Sequence, residues 1–215
     1  MTSAGTVTDA PDWQRVVVSP GGAPVGGGGA SADQLITPVD QGYLGWTFAP
    51  QLNNGQSSNV GSGQLYLYAV KTYKAGTIDN LSIWLLGSGN SVTADENYLG
   101  LYTPNLSGGV VTDWTLQAST ATGAIDDDLV NPGLWTFPLN TGYTAKLGEI
   151  VYIGWLWNGA GIAAQAALDS PSTNFFNHWA YPVAARTSGT YTSLPTNPVL
   201  AGGSAYMFIS WGAVS

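Results

Sequence analysis

Few side chains here could carry catalysis. The one histidine, His178, lies in NFFNHWAYP, and the two glutamates, Glu96 and Glu149, are far apart in the sequence. General acid–base chemistry needs a group of tuned pKa within hydrogen-bond reach of the reacting atoms. No Ser-His-Asp spacing, G-x-S-x-G, HExxH, phosphate loop or dinucleotide fingerprint supplies one. A lone histidine among aromatic rings reads as a packed residue. Asp126, Asp127 and Asp128 form a cluster in ATGAIDDDLVNPG, read as a solvated acidic turn. A calcium site is the alternative, since a hard cation wants several oxygen ligands from one loop. Asp95, Glu96 and Asn97 make a weaker second candidate, and neither group matches an EF-hand. The nine Trp and eleven Tyr carry more information. Aromatic rings stack on sugar faces and amides reach sugar hydroxyls, so Trp155, Trp157 and Asn158 are the best local candidates for a shallow glycan site. The competing reading, which the sequence favours, puts these tryptophans in the core.

Composition narrows the classes. Of 215 residues only 8% are charged and 12% are aromatic, with 29 glycines. A helical protein would need many more Glu, Lys and Arg on its outer faces, so sheet and loop are expected. The net charge is −8, and the five basic residues are scattered. A nucleic-acid partner requires a clustered basic face, and an anionic membrane would repel this chain. With no cysteine, disulfides, zinc–thiolate sites and thiol nucleophiles are excluded. The most apolar run, Ile150 to Trp157, is too short to span a bilayer, and the first residues lack the pattern of a secretory signal.

The elements that must position these residues read as strands. TIDNLSIWLLGSGNSVTADENYLGLYT holds two of them. In the first, Leu81, Ile83 and Leu85 share a face; in the second, Leu99 and Leu101 oppose Tyr98, Gly100 and Tyr102. Further strands are expected at Tyr43 to Phe48, Gln64 to Val70, Val110 to Gln117, Leu134 to Leu139, Ile150 to Trp157 and Tyr206 to Trp211. Strict alternation in the Val110 strand puts Val111 and Asp113 opposite Thr112, Trp114 and Leu116. Pro138 marks an edge or a strand end. The alanines of Gly161 to Asp169 suggest a short helix or turn. Residues 170–200, with four prolines, read as an irregular excursion. Eight or more short strands divided by Gly, Pro, Asn and Ser clusters indicate a sandwich or a barrel. Residues 1–40 differ: Trp13, Val16, Val17 and Val18 form a candidate anchoring arm, followed by a Gly-rich tether. The expected layout is therefore an arm over 1–40 and a β domain over 41–215.

The opening TVTDAPDWQRVVV resembles the short first segment of many minor tail proteins of phages that infect actinobacteria. TIDNLSIWLL, YLGLYT and GEIVYIGWLWNG are similar to strands in jelly-roll domains of phage tail-tip and fibre proteins. The resemblance implies an all-β, jelly-roll-like antiparallel sandwich with an extended N-terminal arm. It also implies a non-enzymatic virion protein, often trimeric, assembled in the host cytoplasm and exposed on the particle, where such proteins commonly contact host glycans. The recognised pieces are structural, so no binding residue is carried over. The alternatives are a head decoration or fibre protein, a free carbohydrate-binding module, and a small glycosidase or lyase with an unfamiliar site. The first lacks only a position on the particle, the second lacks a signal peptide, and the third is opposed by the scarcity of Glu and His.

Overall fold

A computed structural model describes residues 37–50, 56–87, 91–160, 163–169, 182–187, 189–199 and 208–215. The chain divides between Thr37 and Pro38 into two units. The arm residues Trp13, Val16, Val17 and Val18, and also His178, lie outside the described residues.

Unit Pro38–Ser215 is an all-β, antiparallel sandwich of the jelly-roll-like kind that the sequence implies. After a single 3-10 turn at Val39–Gln41 come β1 (Gly45–Trp46), β2 (Gln56–Val60), β3 (Gln64–Thr72) and β4 (Gly76–Gly87). They are followed by β5 (Ser91–Val92), β6 (Tyr98–Ser107), β7 (Val110–Ser119), β8 (Gly133–Ala145) and β9 (Ile150–Trp157). The series ends with β10 (Gly159–Ala160), β11 (Ala163–Asp169), β12 (Ala184–Arg186), β13 (Phe208–Ser210) and β14 (Gly212–Val214). The main hydrogen-bonded path runs β13-β11-β4-β14-β1-β3-β9-β6-β7, with β8 added to β4, β12 to β3 and β2 to β11. The path turns back on itself at the two-residue β1, which pairs with β14 on one side and β3 on the other.

Period-two patterning explains how the layers meet. Leu81, Ile83 and Leu85 of β4 face Tyr66, Tyr68 and Val70 of β3, Leu99 and Leu101 of β6, and Val151, Ile153, Trp155 and Trp157 of β9 in one interior cluster. The opposite faces of β3, β6 and β9 are also buried: Leu65, Leu67, Tyr102, Tyr152 and Leu156 join Val111 and Trp114 of β7 in a second cluster. A third gathers Trp46, Phe48 and Trp211, with Tyr43 and Trp84 against it.

The second cluster needs a cover, and residues 182–187 and 189–199 supply it. They cross the outer face of the β3-β9-β6-β7 sheet as a strap. At one end Ala184–Arg186 pairs with Tyr66–Tyr68 of β3. At the other, Trp114 and Leu116 of β7 donate their N–H groups to Pro198 O and Thr196 O. Between these ends the Tyr102 hydroxyl donates to Pro195 O at 3.1 Å. Gly100 and Gly154, paired across β6 and β9, leave a shallow trough beneath it. A Cβ built at Gly154 would lie 2.5 Å from Tyr102 Cε2, and one at Gly100 would lie 2.8 Å from Leu194 Cδ1. The two glycines thus admit the Tyr102 ring and seat the strap.

Two expectations are corrected. Ala163–Asp169 is strand β11, not a helix, because it pairs with β2, β4 and β13 and sheet hydrogen bonds override alanine propensity. In β7, pairing jumps from Leu106–Val111 to Asn105–Asp113, so Thr112 is an extra residue. This bulge resets the alternation and puts Val111 and Trp114 on the same face. Of the 170–200 excursion, residues 182–187 and 189–199 are described; they are mostly irregular, as expected, and lie across the sheet as the strap just described. Pro138 does sit on an edge, since β8 borders only β4 among the described strands.

Gly154→Ala is expected to displace the Tyr102 ring and destabilise the protein by about 1–3 kcal/mol. Urea denaturation measures this. A midpoint equal to that of the wild type would show that the trough does not seat the ring.

Candidate functional site

The candidate residues meet at one end of the sandwich, where β9 finishes. Here lie the β2–β3 turn at 61–63, the β5–β6 connection at 93–97, the β7–β8 connection at 120–132, and Asn158. The neighbouring backbone is held by Gly63 N–H donating to Trp157 O at 2.7 Å and Tyr191 N–H donating to Gly63 O at 2.7 Å.

Asn97 is the hub of this end and is fully buried. Its Nδ2 donates to Thr93 O at 2.7 Å and to Asp126 Oδ1 at 3.0 Å. Its Oδ1 accepts the backbone N–H of Asn158 at 2.6 Å. Asn158 Nδ2 in turn donates to Glu96 O at 2.8 Å and Tyr191 O at 2.9 Å. Asp126 Oδ2 accepts from Asp95 N–H at 2.7 Å, and the Tyr98 hydroxyl donates to Asp95 O at 2.7 Å. Asp95 has φ of +64°, a left-handed conformation that Asp tolerates better than most residues. The structure therefore joins two stretches that the sequence offers as separate cation candidates. Carboxylate, amides and backbone satisfy one another and tie the 93–97 and 120–132 connections to β9 and the strap.

For the calcium alternative at Asp126, Asp127 and Asp128, this geometry offers no support. Both Asp126 oxygens accept hydrogen bonds from the neighbouring connection. Among the described residues, no three His, Cys, Asp or Glu side chains are grouped so as to hold a metal ion. Asp127 stays exposed, as a solvated acidic turn requires.

The glycan platform on β9 is corrected. Trp155 and Trp157 are 0% exposed and belong to the interior cluster. A ring closed in on both faces cannot stack on a sugar. Their indole N–H groups have no hydrogen-bond partner among the described residues, so the rings contribute to the core through apolar contact alone. Asn158 is buried and spends its amide on the backbone of Glu96 and Tyr191. The sequence reading missed the role of Asn97, whose one signal was an amide placed directly before an alternating strand. It also missed the trough, which a glycine inside each of two strands marks.

Carboxylates concentrate at one end of the sandwich, and six of the nine exposed large apolar residues among the described residues lie at the other. Asp95, Glu96, Asp126, Asp127 and Asp128 gather at the end just described. At the opposite end the β3–β4 and β8–β9 turns are clasped by Gly148 N–H to Thr72 O and Thr72 N–H to Glu149 O, both 2.9 Å. That end carries exposed Tyr73 and Leu147, with Leu106 and Val110 at the β6–β7 tip and Val199 bridged to Asp113. Val39, in the turn that leads into β1, is exposed there too. Beside them Tyr143 donates to Glu149 Oε1. Burial and this acceptor push the phenol pKa up to about 12, so it remains a donor across the physiological range.

Two outcomes are expected from substitution. Trp157→Ala should cost about 3–5 kcal/mol by leaving a large cavity, while Trp157→Phe should cost clearly less, because the lost N–H had no partner. Equal midpoints for the Ala variant and the wild type in chemical denaturation would contradict the buried position. Asn97→Ala should cost about 2–3 kcal/mol, since the Asn158 N–H is left buried and unpaired. Amide exchange at Asn158, slow in the wild type, should speed up in the same variant. A search against protein-family models finds no match, and neither does a search of curated proteins.

Proposed function

We propose that this chain is a non-enzymatic virion protein of a phage infecting actinobacteria, of the minor tail or receptor-binding type. Its arm, through Trp13, Val16, Val17 and Val18, attaches it to other virion proteins, and its β domain is presented at the particle surface as part of a homotrimer. The proposal rests on the resemblance of TVTDAPDWQRVVV and of the β-strand pieces, and on one observation of the fold.

That observation is the apolar surface at one end of the sandwich. Six of the nine exposed large apolar residues among the described residues, Val39, Tyr73, Leu106, Val110, Leu147 and Val199, are 40–70% exposed there. The 3-10 turn that begins the β domain lies at the same end, since Leu44 N–H donates to Val214 O and Tyr73 N–H to Leu44 O. Exposed apolar residues gathered at one end suit burial in an assembly, whereas the acidic loops of the other end suit solvent. β9 alone separates the two ends by on the order of 25 Å. This arrangement supports a reading with one attached end and one presented end. Trp155, Trp157 and Asn158 take no part in host contact on this reading, because they are interior.

Immunogold labelling of purified phage particles, with antibody raised against the whole chain, tests the proposal. Gold on the tail is expected. Gold on the capsid surface would move the protein to head decoration, and gold found only on unincorporated protein would overturn the virion role.

A further inference from the structure

The open edge of β8 offers an interaction surface that the proposed role does not require. Among the described strands β8 pairs with β4 alone. Open edges invite pairing with other chains, and proteins usually guard them with charge, prolines or bulges. Gly133–Ala145 contains no charged residue, and its guard is Pro138.

The backbone direction along this edge can be worked out. Asn80 of β4 donates its N–H to Ser215 O at 2.8 Å and accepts from Ser215 N–H at 3.1 Å. Its polar groups therefore point away from β8, and its pairing with Pro138 is of the non-hydrogen-bonded kind. Alternation gives the same character to the pairs Ser82–Thr136 and Trp84–Leu134. The backbone groups of Leu134, Thr136 and Pro138 thus point outward to the open edge. Pro138 has no N–H to offer there, but its carbonyl remains an acceptor.

We infer that two copies of this chain pair edge to edge through β8, antiparallel, about a two-fold axis at Thr136. In that register each Thr136 exchanges both backbone bonds with its counterpart. Each Leu134 N–H donates to the Pro138 carbonyl of the other copy, so the missing proline N–H falls where only one bond per copy is lost. A shift of the axis to Leu134 or Pro138 forms fewer bonds or loses the central pair. Leu134, 54% exposed, comes to lie beside the Pro138 ring of the second copy and loses solvent contact. The absence of charge between Gly133 and Ala145 lets identical edges approach, although the chain carries a net −8. The acidic Asp126–Asp128 turns precede β8 and fall at opposite ends of the joined ladder, away from each other. A two-fold contact of this kind is isologous and closes on itself.

The register has a sharp test, because Thr136 would sit directly opposite itself at a Cα separation of about 5.5 Å. Thr136→Asp and Thr136→Lys each put like charges face to face. Each variant of the full chain should lose the concentration-dependent doubling of mass in sedimentation equilibrium, with association weakened at least about tenfold. An equimolar mixture should recover it, because Asp then faces Lys. Recovery on mixing requires folded chains, so it separates a lost contact from a lost fold. A trimer formed through another surface would keep its mass in both variants and lose only its doubling. The inference is overturned by a wild type that shows no doubling, by single variants that double as the wild type does, or by a mixture that fails to recover.

Discussion

Strand β9 sets the terms for the rest of the chain. Both of its edges are paired, to β3 and β6, and nearly every residue from Val151 to Trp157 is buried. A strand apolar on both faces requires two covers, because each large side chain left in water forgoes roughly 1.5–3 kcal/mol of burial. The sheet built on β4 is one cover and the strap is the other. Much of the remaining architecture follows from that requirement. β1 can be two residues long because it only has to turn the sheet back over β9, and residues 182–187 and 189–199 can lack regular structure because their task is to lie across an existing sheet.

Wherever the side-chain period of two is intact, the fold was legible from the sequence. β4 and β6 came out with their faces correctly divided, since their core-facing leucines and isoleucine recur at every second position. It failed where the backbone carries the information. The bulge at Thr112 changes the facing of Trp114, and nothing in VVTDWTLQ distinguishes a bulged strand from a regular one. The strap attaches mainly through main-chain groups and one tyrosine hydroxyl, so its prolines suggested only irregularity. Ala163–Asp169 became a strand because neighbouring strands offered it partners on both sides, a tertiary influence that local propensity does not contain.

The candidate site was legible in its members but not in their roles. Asp95, Asn97, Asp126 and Asn158 do come together, yet as mutual hydrogen-bond partners through side chain and backbone. The two tryptophans of β9 are consumed by the core. A composition rich in aromatic and amide residues fits a glycan site and a tightly packed sandwich equally well, and burial decides between them. In this chain the polar network and the packed rings do related work: the first fixes the connections at the acidic end, and the second fixes the strands that lead into them.

The strap also constrains the order in which the molecule can form. It holds β3 through Ala184–Arg186 and β7 through Thr196 and Pro198, and between those two strands lie β9 and β6. The strap can therefore dock in full only once all four strands stand side by side, and it does so across separations of more than a hundred residues, such as that between Leu65 and Thr187. Until it docks, Trp114, Tyr102 and Leu156 lack their cover, and uncovered apolar side chains invite contact with neighbouring chains.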